Sequence, residues 1–189
     1  MRSSSIGASA KPVERLFHQF VVTPQVFYET ALSFAFVNIK PLLPGHVLVS
    51  PHRVVPRLSD LTPTETADLF ITVQRVGRLL ERVYSASALN IPLQDGFDAG
   101  QSVPHVHVHI LPRKPSDLDH EGGPDAIYDR LERADGDLEQ QFQRLRPKQP
   151  KVDEDSMEPR SDEVMKQEAE MLRLEMAKDL GPNHGSPRD

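Results

Sequence analysis

The chain has 189 residues, enough for one domain plus a tail, and carries 28 acidic against 22 basic residues. It has no cysteine, which excludes disulfides and thiol catalysis and is compatible with a reducing compartment. Eleven acids and six bases fall in residues 151–189, so the tail is acidic, the body is nearly neutral, and the broad basic footprint of a nonspecific nucleic-acid binder is missing.

Residues 1–14 read as a flexible N-terminus. The serine-rich start, MRSSSIGASAK, has no apolar h-region and is not expected to be a secretory signal. It is acid-free, but short for a mitochondrial presequence, so a mitochondrial address is the less favoured one. No apolar run approaches the roughly 20 residues needed to span a bilayer, and no membrane association is expected. A main domain is placed at 15–146.

Leu16 to Val22 (LFHQFVV) reads as one strand closed by Thr23-Pro24, since proline lacks the donor that a continuing ladder needs. Val26 to Thr30 is ambiguous. Ser33 to Ile39 (SFAFVNI) reads as a buried strand broken at Pro41. Asn38, near its end, is either a turn former or a site residue. Pro44-Gly45 signals a turn, after which His46 to Val49 begins another strand and returns His46 beside Asn38.

Thr62-Pro63-Thr64-Glu65 is a helix start: Thr62 caps, Pro63 suits the first position, and Glu65 completes a capping box. Ala67, Phe70, Val73, Gly77, Leu80 and Tyr84 form the expected apolar stripe of a helix of some twenty residues. Gly77 within it suggests close packing on a sheet. Asn90 to Gln94 and Val103 to Leu111 read as an antiparallel pair joined by the Gly96 to Gly100 loop.

The chemistry concentrates between Pro92 and Lys114. His105, His107 and His109 alternate with Val106, Val108 and Ile110, which on a strand sends three imidazoles to one face and three aliphatics to the other. The aliphatic face requires a core, whereas adjacent imidazoles gain nothing from packing. Zinc on alternate histidines is the competing reading, but a thiolate site is excluded and no paired carboxylates stand near to complete an oxygen-rich one. Upstream, Gln94-Asp95-Gly96 and Ala99-Gly100-Gln101-Ser102 supply glycines and short polar residues, through which backbone N–H groups can approach phosphate oxygens. Phosphate beside an imidazole suggests nucleophilic catalysis by histidine at phosphorus. His18, His52, His120 and His184 read as ordinary surface or structural histidines.

Beyond Lys114, Pro115 to Pro124 is a polar loop and Asp125 to Arg133 a short amphipathic helix, on which Tyr128 is a packing, surface or modification-site residue. Residues 147–189 read as an acidic tail. In it Pro147 to Arg160 is a linker, a charged helix spans about 161–178 with Val164, Met165, Ala169, Leu172 and Met176 as its stripe, and the last ten residues are disordered. Strands, one long helix, then more strands suit an α+β fold: an antiparallel sheet of about five strands with the helix on one face and the histidines facing a groove on the other.

The segment His105-Val-His107-Val-His109-Ile-Leu111 resembles the histidine triad signature. The longer match, GQSVPHVHVHILPRK with LQDG before it and NIKPLLPGHVLVSP at Asn38 to Pro51, is similar to the fragile histidine triad branch, whose members hydrolyse dinucleoside polyphosphates. The resemblance covers roughly Leu16 to Leu131, with a weaker echo from Arg160 to Met176.

It implies a bis(5'-adenosyl)-triphosphatase of the cytoplasm, with a nuclear share, built as a homodimer whose sheets join. His107 would be the nucleophile and His109 would aid the leaving nucleotide. The His105 carbonyl would fix the His107 tautomer, and His46 would orient the triad. Asn38 would meet the ribose, Gln94, Gly100, Gln101, Ser102 and Val103 the phosphates, and Phe17, Phe20 and Leu48 the base. Phe20 stands where a relative has histidine, which puts that base contact in doubt. A magnesium or manganese ion would be bound through the substrate phosphates, with no structural metal. A nucleoside phosphoramidase shares the triad but not the flanking match, and His109 argues against a transferase. A nucleotide-sensing scaffold with the acidic tail as partner surface is the alternative of a different class.

Overall fold

The computed structural model describes residues 13–131 and 160–180. The expectations for residues 1–12, for the linker from Pro147 as far as residue 159 and for the end of the tail lie outside them, as does His184.

Five strands form one antiparallel sheet: β3 (Val26–Glu29), β4 (Ser33–Val37), β5 (Val47–Pro51), β6 (Ala88–Asn90) and β7 (Val108–Arg113), in the spatial order β3-β4-β5-β7-β6. The fold is α+β, as the pattern of elements implies. Central strands β4 and β5 are buried along their whole length, matching the apolar runs SFAFV and VLVSP.

The segment expected as one strand from Leu16 to Val22 is instead a tight hairpin of β1 (Leu16–Phe17) and β2 (Phe20–Val21), with Leu16 opposite Val21 and Phe17 opposite Phe20. The chain reverses at His18, which adopts the left-handed conformation at φ 54°. The reversal buries Phe17 and Phe20 and leaves Leu16 and Val21 outside.

Helix α1 (Pro63–Tyr84) starts as the sequence dictates. Thr62 Oγ1 accepts from the Glu65 N–H, and the Glu65 carboxylate accepts from the Thr62 N–H at 2.8 Å. Its buried stripe differs from the expected one: Leu69, Thr72, Val73, Val76, Leu79 and Leu80 face inward, while Ala67 is exposed and Phe70 is 43% exposed. The 3.6-residue repeat admits a neighbouring stripe when apolar residues occur in adjacent pairs such as Leu69-Phe70. Gly77 does pack closely, since a Cβ there would lie 2.9 Å from Leu89 Cδ1 on β6. Leu89 pairs with Pro112, so α1 covers the face shared by Val108 and Ile110, opposite to His109.

The expected ladder between Asn90 to Gln94 and Val103 to Leu111 is also shorter. Only Ala88–Asn90 pairs with β7, and residues 91–107 form a connection held by single bonds such as His109 N–H to Pro92 O at 3.0 Å and Val106 N–H to Val55 O at 2.8 Å. Pro92 and Pro104 lack the donors a ladder would need.

Residues 126–131 are helical (α2), and Ile127 and Leu131 pack with Leu42, Leu111 and Leu118 in a small second core. The tail helix α3 (Asp162–Leu180) lies against β3, β4 and α1. Its Met165, Ala169, Leu172 and Met176 are fully buried in the main core, whereas Val164 is 46% exposed. Arg82 on α1 pairs with both Glu175 and Asp179 of α3. The apolar stripe of α3 is thus part of the body and not a detached partner surface.

Candidate active site

Of the three alternating histidines only His109 lies in a ladder strand. Val47, Leu48 and Val49 on β5 face Ile110, His109 and Val108 on β7, so Leu48 is directly opposite His109. His105 and His107 lie in the connection that leads into β7, with His105 in a bend. The histidine face was expected to look out into a groove. Instead the rings of His105, His107 and His109 are 0%, 1% and 3% exposed. Phe17 of the hairpin packs on them, stacked on His105 with ring centroids 5.5 Å apart and edge-on to His107 at 5.1 Å.

The hydrogen bonds assign each ring a tautomer, because backbone N–H groups can only donate and carbonyls can only accept. Around His105, the His18 N–H donates to Nδ1 at 3.0 Å, so the proton lies on Nε2, which donates to Pro51 O at 2.9 Å. His107 Nδ1–H donates to the carbonyl of His105 at 2.7 Å, which leaves the lone pair on Nε2. The Leu42 N–H donates to His46 Nδ1 at 3.2 Å, so His46 is protonated at Nε2. That Nε2–H donates to His109 Nδ1 at 2.8 Å, and His109 therefore bears its proton on Nε2. Two adjacent rings, His107 and His109, with centroids 5.1 Å apart, are in opposite tautomers: one offers a lone pair, the other an N–H.

Electrostatics keep the supporting rings neutral. Burial pushes His46 down to about 3, helped by the positive charge of Arg160 and by His107. Burial likewise lowers His105 to about 4, against the opposing bond to Pro51 O. The ring nitrogens of the three histidines turn to different partners, Pro51, the His105 carbonyl and His46, and do not converge on one ion. Among the described residues there is no group of three or more His, Asp or Glu side chains placed to hold a metal.

The remaining expected site residues divide. Asn38 and His46 do meet: Asn38 Nδ2 lies 3.3 Å from His46 Nε2, and the Asn38 N–H donates to His46 O at 3.4 Å. Asn38 is 2% exposed and its Oδ1 accepts from the Lys40 N–H, so it shapes the turn around His46. The Gln101 side chain bonds at both ends: Oε1 accepts from the Gly96 N–H at 3.0 Å and Nε2 donates to Pro56 O at 2.9 Å. It closes the 96–101 loop, a role enforced by burial of the amide. Gln94 packs against Gly100, where φ is 91° and a Cβ would lie 2.6 Å from Gln94 Nε2, so a side chain at 100 is excluded. Ser102 is half-buried beside the buried Val103. Phe17, Phe20 and Leu48 are all buried; Phe17 touches the histidines, and Leu48 shares the His109 face.

Sequence reasoning missed two contributors. His18 enters through its backbone N–H, for which no side-chain signal exists. Arg160 reaches the turn at Asn38 from the far end of the chain; its only signal was the weak echo at Arg160 to Met176. Among the described residues, His52 Nε2–H donates to Thr30 O, and His120 lies exposed beside Glu121.

Comparison with known proteins agrees with this geometry. A family model described as the HIT domain matches residues 19–116. The bis(5'-nucleosyl)-tetraphosphatase [asymmetrical] of Schizosaccharomyces pombe is 58% identical over 127 residues, which are 67% of this chain and 68% of that protein. The bifunctional bis(5'-adenosyl)-triphosphatase/adenylylsulfatase FHIT of Arabidopsis thaliana is 51% identical over 127 residues, covering 67% of this chain and 69% of its own. The crystal structure of the Caenorhabditis elegans NitFhit protein superposes with a TM-score of 0.64 at 39% identity, over 88% of this chain but only 31% of that longer one. The chain belongs to the histidine triad family, in its fragile histidine triad branch.

Proposed function

We propose that this chain is a hydrolase of dinucleoside polyphosphates, a bis(5'-adenosyl)-triphosphatase that cuts in two steps through a nucleotidyl-histidine. The observation that carries the reading is the pair of opposite tautomers at His107 and His109. His107 Nε2 uses its lone pair to form a P–N bond at the α-phosphorus while the P–O bond to the leaving nucleotide breaks. The His109 Nε2–H donates a hydrogen bond to that oxygen and stabilises the charge that develops on it, keeping its own proton. The positive charge that develops on His107 is met by the His105 carbonyl on Nδ1. The water oxygen then attacks phosphorus and gives up a proton to solvent. The P–N bond breaks, its electron pair returns to His107 Nε2, and AMP leaves.

The relatives' names divide between tri- and tetraphosphate substrates; the triphosphate is our preferred assignment. A divalent cation would be carried on the substrate phosphates and offset their charge. We also propose a homodimer. Strand β6 is a free edge of the sheet, and beside it Phe70, Val73, Gln74, Gly77, Leu89 and Ile91 line a largely apolar recess of about 380 Å³ in which Phe70 and Ile91 stand 43% and 46% exposed.

The test is hydrolysis of diadenosine triphosphate and, separately, tetraphosphate in water enriched in oxygen-18 by the native chain and by His107→Asn. Heavy oxygen in AMP, faster release from the triphosphate, and no turnover by the variant are expected. Label in the other product, or near-normal turnover by His107→Asn, contradicts the assignment.

A further inference from the structure

The turn from Asn38 to His46 is gripped at both ends from outside the sheet. At its start, the Arg160 N–H donates to Ile39 O at 3.0 Å and Arg160 Nη2–H donates to Asn38 O at 2.5 Å. At its end, the Tyr84 ring lies on Gly45, where φ is 81° and a Cβ would approach Tyr84 Cε2 to 2.6 Å. One carboxylate joins the two grips: Glu168 accepts from Tyr84 Oη–H at 2.7 Å and from Arg160 Nη1–H at 2.5 Å. Arg160 and Glu168 are largely buried, their side chains 19% and 14% exposed. The held segment contains the Leu42 N–H, the group that sets the proton position on His46.

We infer that Arg160 is a positioning residue for catalysis: together with Glu168 and Tyr84 it fixes the turn that selects the His46 tautomer, and through His46 it orients the N–H that His109 presents to the leaving group. This inference rests on the hydrolase reading above. Packing alone does not require such an arrangement, since the buried stripe of α3 already seats the helix. The fork of a guanidinium suits a backbone carbonyl and a carboxylate at once, which a lysine cannot match. Charge acts in the same sense. The groups that face His46 are Arg160, paired with Glu168, on the α3 side and His107 and His109 on the β7 side, and the Arg160 cation disfavours a second proton on the His46 ring.

The experiment compares the full chain with Arg160→Gln, Arg160→Lys and Glu168→Gln on two adenosine 5'-phosphoryl aryl esters, one with a phenol and one with a 4-nitrophenol leaving group. A poor leaving group depends more than a good one on the hydrogen bond from that N–H to its developing oxyanion, so Arg160→Gln is expected to slow the phenyl ester about tenfold more than the nitrophenyl ester. Arg160→Lys and Glu168→Gln are expected to shift the same ratio less. Equal slowing of both esters shows a merely structural role and overturns the inference. Proton–nitrogen spectra of the histidine rings give a second readout that needs no turnover. They should show His46 protonated at Nε2 alone in the native chain, and a mixture of tautomers in folded Arg160→Gln or Arg160→Lys. If the native chain cleaves neither ester, the hydrolase reading fails, and the ring spectra still decide the clamp: an unchanged His46 tautomer in both variants overturns it.

Discussion

The Nε2–H of His46 donates to Nδ1 of His109 at 2.8 Å, inside the protein and away from water. Because the Leu42 amide claims the other nitrogen of His46, this one bond dictates which face of His109 carries a proton. The bond from the Leu42 amide requires His46 Nδ1 to stay unprotonated, and burial pushes His46 down to about 3.

His109→Gln retains an N–H but loses the ring whose direction the His46 bond fixes. Hydrolysis of diadenosine triphosphate should fall by about 100-fold, within the range for losing a preorganised donor to developing charge. Steady-state kinetics check this, and an unchanged rate would remove His109 from the mechanism.

Acid should unfold the protein through its buried imidazoles. His46 and His105 fall from 6.5 in the unfolded chain to about 3 and about 4 in the fold, so below pH 6.5 the unfolded state binds more protons. Stability is therefore retained above pH 6.5 and is lost on acidification, for each group by about 1.4 kcal/mol per pH unit until its folded value is reached. Urea denaturation at pH 7, 6 and 5 measures this; a flat profile would mean that the rings are not buried neutral.

Leu172→Ala should cost about 2–5 kcal/mol, as for other large-to-small changes in a packed interior. Leu172 is fully buried in the main core from a helix that sequence alone assigned to the tail. A shift in thermal midpoint below 1 °C would show that α3 folds apart from the body.

Gly45→Ala forces a side chain into the left-handed region and into the Tyr84 ring. A loss of about 2 kcal/mol is expected from backbone strain alone. Differential scanning calorimetry checks the stability, and the same variant should also lower kcat by displacing His46.

The sheet, the long helix and the histidine cluster were legible because their signals are local: period-two alternation at 105–110, a capping box at Thr62, apolar runs at Ser33 and Val47. What was not legible depends on partners remote in sequence. Nothing in LFHQFVV announces that the chain reverses at His18, since the reversal is driven by burying Phe17 against Phe36 and the histidines. Gln101 and Asn38 read as ligand contacts because both are polar and near glycine or proline; that they also bond the backbone of Gly96 and Lys40 depends on the folded loops and has no signal in the sequence. The tail helix showed its apolar stripe plainly, but its acidity suggested solvent, and only the packing of Met165, Ala169, Leu172 and Met176 reveals its place.

The central claim is a covalent bond between His107 Nε2 and phosphorus, and the stereochemistry at phosphorus tests it most directly. A dinucleoside triphosphate made chiral at the α-phosphorus with sulfur and oxygen isotopes would be hydrolysed, and the configuration of the released nucleotide determined. Two in-line displacements, first by His107 and then by water, predict overall retention. Inversion would mean that water attacks the substrate in a single step, and would contradict the account.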